Sequence, residues 1–412
     1  MPPHTGAQVS SLREDMLTVY RAALTAVEGR AAVITALSAQ PLPPGPLAVI
    51  ALGKAAQAMA EGAEAVLGER IAALLVVSCH GYTAAARLPQ AIMIEAGHPL
   101  PDHYSLQAGQ QLLQFIADTA PDMPLLFLIS GGSSALVEVL PPGVTLDDLQ
   151  RANRWLLGSG LAIHQLNRVR KALSMIKGGR LLSQLTDRRC HALLMSDVAG
   201  DDPAVIGSGL LFADAPAPLP PGVPDWLQHM VPAASPPLHQ RQPVTWQIVM
   251  DPRRARRAAS AAAQGLGYRV LQHDTVLTAD VTEVAATVAE ALAAGPDIIH
   301  VWSAEPTVCL PPVPGQGGRC QALALEVAGR CQGRDLVLLA GATDGSDGGA
   351  EVAGALVDGR SVARGARQGL DWQQCLRQAD SGRYLAASGD LIGTGPTGSN
   401  VLDLVLGYSR SV

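Results

Sequence analysis

Short apolar runs recur along the first half of the chain, and each is followed by a turn of small or polar residues and then by a segment with helical spacing. The runs are LAVIAL at 47–52, ALLVVS at 73–78, AIMIEAG at 91–97 and LLFLIS at 125–130. Continuous apolar runs of this length are typical of strands buried on both faces. Strands that alternate with helices predict an α/β fold with a mostly parallel, doubly wound sheet, whose ligands bind at the strand carboxyl ends.

The length of 412 residues favours two domains over a single core. The richest proline region, at 214–243, predicts an extended connection, so we expect an N-terminal domain at 1–235 and a C-terminal domain at 236–412. Beyond it, VTWQIVMD starts a new alternation of strands and helices. Near the start of the chain, 16–37 carries apolar residues at helical spacing. A content of 48% hydrophobic and 16% charged residues fits a packed α/β enzyme.

Gly131, Gly132, Ser133 and Ser134 follow the run at 125–130 and open a predicted helix. Glycines let the backbone approach an anion, while amides, hydroxyls and the helix dipole favour phosphate there. The other interpretation is a tight strand–helix turn without a ligand, which is common in this fold class. No Walker A string, G-x-x-x-x-G-K-[ST], occurs.

Cations gather in two places. Lys54 follows the run at 47–52, where a lysine can contact phosphate or carboxylate, although most lysines are solvated. A dense polar and cationic string lies at 167–180, and it is either a solvated helix face or an anion site. Its members are Asn167, Arg168, Arg170, Lys171, Lys177 and Arg180.

Two acid-rich turns follow predicted strands. SDVAGDDP supplies Asp197, Asp201 and Asp202, and GATDGSDGG supplies Asp344 and Asp347. Such acids cap turns, or they hold Mg²⁺ together with water and substrate phosphates, or they accept a hydroxyl proton. We interpret His98, in GHPLPDHYS, as a packed loop histidine.

GTGPTG at 393–398 matches G-x-G-x-x-G, but no helix and second strand follow it as a dinucleotide site requires. Its glycines, with Thr397 and Asn400, are better explained as a backbone-rich turn that faces a ligand.

Several classes of function are disfavoured. The net charge of −6 provides no field for nucleic acid, and RRARR at 253–257 is a short cluster. No apolar run reaches the ~18 residues that a membrane span needs. The six cysteines form no C-x-x-C pair, so we expect reduced thiols in a cytoplasmic protein.

Taken together, these strings resemble the type II glycerate kinases, whose C-terminal region is called the MOFRL domain. The matching motifs occur in the family's order over nearly the whole chain. They are GKAAQAMA (53–60), GHPLPDHYS (97–105), LISGGSSALVE (128–138), LNRVRKALSMIKGGRLL (166–182), SDVAGDDPAVIGSG (196–209), GGRCQALAL (317–325), ATDGSDG (342–348) and GDLIGTGPTGSNVLDL (389–404).

The resemblance implies ATP-dependent phosphorylation of D-glycerate to 2-phosphoglycerate, in a cleft between a Rossmann-like N-terminal domain and a MOFRL-like C-terminal α/β domain. It implies Lys54 and Arg319 as the catalytic cations. We add Asp197 as base or metal ligand and Asp344 as a second ligand for Mg²⁺. The remaining expectations are nucleotide phosphates at Gly131, Gly132, Ser133, Ser134, Thr397 and Asn400, glycerate at Asn167, Arg168, Arg170 and Lys177, and a homodimer.

This chain departs from the family pattern in two strings. Where the family has GGRNQE, this chain has GGRCQA, with Cys320 and Ala322 in place of an amide and a carboxylate side chain. Where the family has SGP, this chain has SGL, which ends in Leu210. Glu305 is kept in SAEPT at 303–307, a string that resembles SGGET. These changes leave the exact hydroxy acid open. Two rival functions are an NAD(P)H-dependent hydroxypyruvate reductase and a non-catalytic anion-binding protein.

Overall fold

The computed structural model describes residues 6–159, 161, 163–185, 188–213, 218–232, 244–348 and 352–411. The chain divides into two compact units. The N-terminal unit is Gly29–Met250, and the C-terminal unit is Asp251–Val412 together with Met1–Glu28. The boundary expected at 235/236 lies outside the described residues, as does much of the proline-rich connection. The division between the units falls later, after residue 250.

The N-terminal unit contains a six-stranded sheet in which every neighbouring pair is parallel. Its strand order is β3-β2-β1-β4-β5-β6, as in a Rossmann-type sheet. All six residues of the first strand are buried, as helices on both faces of a parallel sheet require. The strands are β1 Leu47–Leu52, β2 Ile71–Cys79, β3 Ile92–Ala96, β4 Leu125–Ile129, β5 Cys190–Met195 and β6 Thr245–Met250.

The helices of the chain up to residue 250 begin with α1, Gly6–Ala26, which belongs to the C-terminal unit. Those of the N-terminal unit are α2 Gly29–Ala39, α3 Ala56–Leu67, α4 His103–Asp118, α5 Ser133–Leu136, α6 Leu146–Gly158, α7 Ile163–Ala172 and α8 Asp225–Gln228.

The strand expected to start the second domain instead completes the first sheet. β6 pairs in parallel with β5, from His191↔Thr245 to Met195↔Met250. The apolar pattern of VTWQIVMD identified a strand correctly, but a local pattern does not specify which sheet the strand joins.

The C-terminal unit contains a mixed six-stranded sheet of order β11-β10-β9-β12-β8-β7, in which only β7 and β8 are a parallel pair. Its strands are β7 Arg269–Gln272, β8 Ile298–Ala304, β9 Leu336–Gly341, β10 Gly354–Asp358, β11 Leu391–Ile392 and β12 Asp403–Ser409. Its further helices are α9 Pro252–Gly265, α10 Val281–Ala294, α11 Arg319–Arg330, α12 Ser361–Ala366, α13 Trp372–Arg377 and α14 Ser381–Ser388. The two-domain α/β fold class is therefore confirmed.

The helical segment expected at 16–37 consists of two helices. α1 ends at Ala26 and α2 begins at Gly29, and the two helices belong to different units. α1 is fastened to the C-terminal unit by a buried tyrosine and an arginine. The Tyr20 hydroxyl donates to the Ala342 carbonyl at 2.6 Å. Arg13 pairs with Asp358 at 2.7 Å and with Asp390 at 3.0 Å.

Among the described residues, no single helix is both long and apolar enough to cross a membrane. One bent pair, Ser11–Ala26 with Gly29–Ala39, passes that test by length and composition alone.

Candidate active site

The strand order of the N-terminal sheet reverses between β1 and β4. In doubly wound sheets, the crevice that binds ligands opens beyond the carboxyl ends of the strands at this reversal. β1 leads into Gly53 and Lys54, and β4 leads into Gly131 and Gly132. The fold thus places two of the predicted ligand-binding segments at neighbouring strand ends.

The glycine turn after β4 presents backbone amides. Gly132 has a φ of +85°, a left-handed conformation that favours glycine. The amides of Gly131 and Gly132 donate no hydrogen bond to another described residue. The helix expected to follow is only the four residues of α5, so its dipole is small. An anion at this turn would be bound mainly by the amides.

Lys54 is held at the turn by its own backbone. Its amide donates to the Gly131 carbonyl at 3.0 Å. The next amide, that of Ala55, donates to Ser130 Oγ at 3.1 Å. Gly53 has a φ of +120°, and a Cβ there would lie 2.2 Å from Ser130 Oγ. The turns after β1 and β4 are therefore closely packed, and the half-buried Lys54 side chain starts from a fixed point.

Two side chains flank Gly132. A Cβ built on this glycine would lie 3.1 Å from Lys54 Cγ, 3.3 Å from His98 Cδ2 and 3.5 Å from His98 Nε2. His98 is exposed rather than packed in a loop, so the sequence interpretation of this residue was wrong. The signal that could have identified it is its position, two residues beyond β3 in the same parallel sheet.

The two serines of the turn face the segment at 206–209. Ser133 Oγ is buried without a hydrogen-bond partner among the described residues, and a Cβ on Gly207 would lie 2.3 Å from it. The hydroxyls of Ser134 and Ser208 are 2.7 Å apart. Ser208 has a φ of +61°, which is uncommon for a residue with a side chain.

The cationic string is partly structural. Lys177 Nζ is 2.5 Å from Glu138 Oε2, and these side chains are only 4% and 1% exposed. Arg168 donates to the Pro218 carbonyl at 3.3 Å, and Arg170 donates to Asn167 Oδ1 at 3.5 Å. Burial lowers the pKa of Arg170. Of the predicted glycerate-binding residues, Asn167, Arg168 and Arg170 keep half-buried side chains on α7, whereas Lys177 is committed to an ion pair.

The acidic turn at 197–202 follows β5, the neighbour of β4. Asp197 is half-buried there. Asp202 accepts the Ala204 amide at 2.9 Å, so this acid has the turn-capping role. The strands β1, β4 and β5 are consecutive in the sheet, and they are followed by Lys54, the glycine turn and Asp197 respectively. Because adjacent parallel strands end at the same edge of a sheet, these three features lie at one edge.

In the C-terminal unit, Arg319 is held by two carboxylates. Its Nε donates to Asp403 at 2.6 Å, and its Nη1 donates to Glu305 at 3.0 Å. Burial alone would lower the pKa of Arg319, but Asp403 and Glu305 raise it above its ordinary value. Its Nη2 also donates to Asp403, at 3.3 Å, and the side chain remains 36% exposed.

Asp403 was missed by the sequence interpretation. It is the first residue of β12 and only 3% exposed. The available signal was an acid inside the apolar run NVLDLVLGY, since a carboxylate is rarely buried without a cationic partner.

The start of α11 is capped from within the unit. Asp347 accepts the Cys320 amide at 3.1 Å and the Gln321 amide at 2.8 Å. Burial, aided by Asp403, raises the pKa of Asp347 to about 6. Burial and the same Asp403 also raise the pKa of the Cys320 thiol. Cys320 and Ala322, two departures from the family pattern, are both buried at the start of this helix.

The turn at 393–398 packs on the second acidic turn. A Cβ on Gly345 would lie 2.0 Å from the Gly395 carbonyl. Thr397 Oγ1 donates to the Thr343 carbonyl at 2.5 Å, and its amide donates to the Asp344 carbonyl at 3.4 Å. Asn400 and Asp344 are buried. No helix forms between 393 and 402, all of which are described, so this string lacks the context of a dinucleotide site.

Within the described part of the chain, no group of three or more His, Cys, Asp or Glu side chains is arranged to hold a metal ion. Mg²⁺ usually takes one or two carboxylates and completes its shell with water and substrate phosphates. A single strand-end acid such as Asp197 fits that mode of binding.

Comparison with known proteins finds a family model in each half of the chain and relatives that match most of it. Residues 298–403 match the MOFRL family, and residues 15–218 match a domain of unknown function, DUF4147. D-glycerate 2-kinase of Thermotoga maritima is 31% identical over 389 residues, covering 87% of this chain and 89% of that protein. An Agrobacterium vitis protein, provisionally named hydroxypyruvate reductase, is 32% identical, covering 96% of this chain and 94% of its own. The crystal structure of glycerate kinase from Thermotoga maritima has a TM-score of 0.80 at 30% identity, covering 97% of this chain and all of that one.

The fold and the turn after β4 define a two-domain α/β protein with a glycine turn at the switch point of a Rossmann-type sheet. The chain belongs to the glycerate 2-kinase family and carries a MOFRL domain in its C-terminal half. The resemblance found in the sequence is confirmed.

Proposed function

We propose that this protein is a glycerate 2-kinase, which transfers the γ-phosphoryl group of ATP to the 2-hydroxyl of D-glycerate. Relatives that match most of the chain carry this name, and the solved relative is a glycerate kinase. Phosphoryl transfer needs little covalent chemistry from the protein, because positioning and charge neutralisation lower most of the barrier.

The observation that carries the proposal is the position of Lys54 beside the glycine turn. Its amide is hydrogen-bonded to the Gly131 carbonyl and its side chain lies beside Gly132, where two backbone amides have no partner among the described residues. In the proposed reaction the amides bind nucleotide phosphate and the lysine ammonium neutralises charge on the transferring group. Thr397 and Asn400 complete the proposed nucleotide contacts.

Arg319 is the second proposed catalytic cation. Asp403 and Glu305 fix the orientation of its guanidinium plane, and the exposed fraction leaves N–H groups for a phosphoryl oxygen. On the acceptor side, Arg168, Arg170 and Asn167 are proposed to bind the glycerate carboxylate, since guanidinium groups match carboxylates in geometry.

We further propose Mg²⁺ as the metal, with Asp197 as first ligand and Asp344 as second. The ion would shield phosphate charge when bound. The protein is proposed to act in the cytoplasm as a homodimer on small-molecule substrates alone.

The test is a coupled assay of ADP release from ATP, with and without D-glycerate, in the presence of several divalent metals. We expect glycerate-dependent ADP release. Lys54→Ala and Arg319→Ala should each lower kcat by at least about 10²-fold if they stabilise the transferring group. Arg330→Ala, at the other end of α11, is the matched control and should leave turnover unchanged. Without glycerate-dependent ADP release under any metal, the kinase proposal fails.

A reductase is the second candidate, because the Agrobacterium vitis relative is named as one. An enzyme of this class would oxidise NADH while it reduces hydroxypyruvate. The turn at 393–398 lacks the helix of a dinucleotide site, and the turn after β4 lacks its glycine spacing. NADH oxidation that depends on hydroxypyruvate would favour this candidate. ADP release that depends on another small hydroxy acid, and not on glycerate, would instead support a kinase with a different substrate.

A further inference from the structure

The ring of His98 reaches the glycine turn from a distant strand. β3, which precedes it, is at the sheet edge, and β2 and β1 lie between β3 and β4. With strands ~4.8 Å apart, the segment after β3 must cross about 14 Å to place a side chain beside Gly132. His98 nevertheless has two ring atoms within 3.5 Å of the Cβ position of that glycine.

The loop that carries His98 is fixed on both sides. A Cβ on Gly97 would lie 2.5 Å from the Leu100 carbonyl oxygen, so the chain turns tightly there. Asp102 forms a capping box with Ser105 at the start of α4 and is 2.8 Å from His80 Nε2. The loop therefore has a defined conformation that places the His98 ring beside the glycine turn, and His98 remains exposed to solvent.

Among the described side chains beside Gly132, His98 is the suitable proton acceptor. Lys54 carries the proposed charge-neutralising ammonium, and the Ser134 hydroxyl is bonded to Ser208. A serine hydroxyl is a poor base, whereas a neutral imidazole accepts protons near pH 7. Of the other titratable groups of the adjoining segments, His80 pairs with Asp102, Glu95 accepts hydrogen bonds from Thr83, and the ring of His103 lies against that of Tyr104.

Building on the proposed function, we infer that His98 is a catalytic residue that accepts the proton of the glycerate hydroxyl. The hydroxyl oxygen bonds to the γ-phosphorus while the bond from that phosphorus to the β,γ-bridging oxygen breaks. The leaving oxygen takes the bonding electron pair into ADP, and the hydroxyl proton passes to the imidazole. Asp197 then serves as the metal ligand and not as the base.

The test compares His98→Gln with wild type and with His103→Gln. His103 is exposed at the start of α4, where the centroid of its ring lies 3.8 Å from that of Tyr104, and it serves as the matched control. We expect His98→Gln to lower kcat by about 10²-fold or more while KM for ATP and glycerate changes less than about threefold. The control should match wild type. An unchanged kcat in His98→Gln would overturn the inference.

Two further measurements do not depend on the glutamine variant folding well. Wild-type kcat/KM should rise with pH through the histidine range, about 5.5 to 7.5, and a flat profile would overturn the role. Added imidazole should restore part of the activity of His98→Ala, because the side chain is exposed. If the wild type itself shows no glycerate-dependent ADP release, the proposed function fails along with the inference. If the wild type is active and His98→Gln is equally active, only the inference fails.

Discussion

The ion pair between Lys177 and Glu138 indicates a structural role for Lys177, which an experiment can distinguish from a substrate-binding role. The sequence predicts that Lys177 binds glycerate, whereas the structure places its ammonium 2.5 Å from a carboxylate, with both side chains almost fully buried. We expect Lys177→Met to destabilise the N-terminal unit strongly, because it leaves the Glu138 carboxylate without its cation.

The magnitude follows from the distance and the burial. At 2.5 Å and an effective dielectric constant near 20, the attraction is about 7 kcal/mol before the cost of dehydration. Dehydration of two buried ions cancels much of this gain, but removal of a single partner leaves an uncompensated charge. The expected loss in free energy of unfolding is about 3–5 kcal/mol. Glu138→Gln with Lys177→Met should cost less than the sum of the single changes, since the double variant buries no charge.

Urea unfolding of the four proteins of this cycle measures the coupling. Hydrogen exchange at Gly178 and Gly179 gives a local readout, because their amides donate to Ser208 and Gly209 across the segment that Lys177 anchors. The glycerate KM of folded Lys177→Met is measured in parallel. Unchanged unfolding and exchange, together with a raised glycerate KM, would refute the structural role and restore the substrate-binding prediction.

Two further changes test packing and charge. Gly53→Ala should destabilise the N-terminal unit by more than the ~1–2 kcal/mol of a left-handed alanine, because its Cβ would lie 2.2 Å from Ser130 Oγ; Gly265→Ala, with open space around it, is the thermal-melting control. For Asp347, burial raises the pKa from 3.8 to about 6, so the folded state holds this proton to higher pH than the unfolded state does. The stability of the C-terminal unit should therefore fall by roughly 3 kcal/mol as pH rises from about 4 to above 6, and Asp347→Asn should remove this slope in urea titrations; an equal slope in both proteins would contradict the shift.

The sequence predicted the elements that are determined locally. The apolar runs identified β1 and β4, and the glycines after β4 identified a turn that the structure confirms. The location of Lys54 was predictable because it depends only on the strand that precedes it. In each case the signal and the structure lie within about ten residues of one another, which is the range over which side-chain periodicity is informative.

Contacts between distant residues were not predictable in this way. The partners Lys177 and Glu138 are 39 residues apart, and Arg319 and Asp403 are 84 apart. The local sequence around a cationic side chain on a helix does not indicate whether that side chain contacts solvent, a carbonyl oxygen or a buried carboxylate. His98 was assigned to a packed loop for the same reason, since its neighbour Gly132 is brought to it only by the order of strands in the sheet.

The path of the chain explains why the expected domains at 1–235 and 236–412 differ from the compact units. The ring of Tyr20 fills space beside Gly341, where a Cβ would lie 2.8 Å from it, and its hydroxyl bonds to the next carbonyl of the same unit. A fragment that ends at 235 would therefore carry α1 without the surface that buries it, and would lack β6, which pairs with β5. The complementary fragment would hold β6 without its sheet. Because each unit takes elements from both sides of the expected boundary, proline content in this chain does not mark where one fold ends and the other begins.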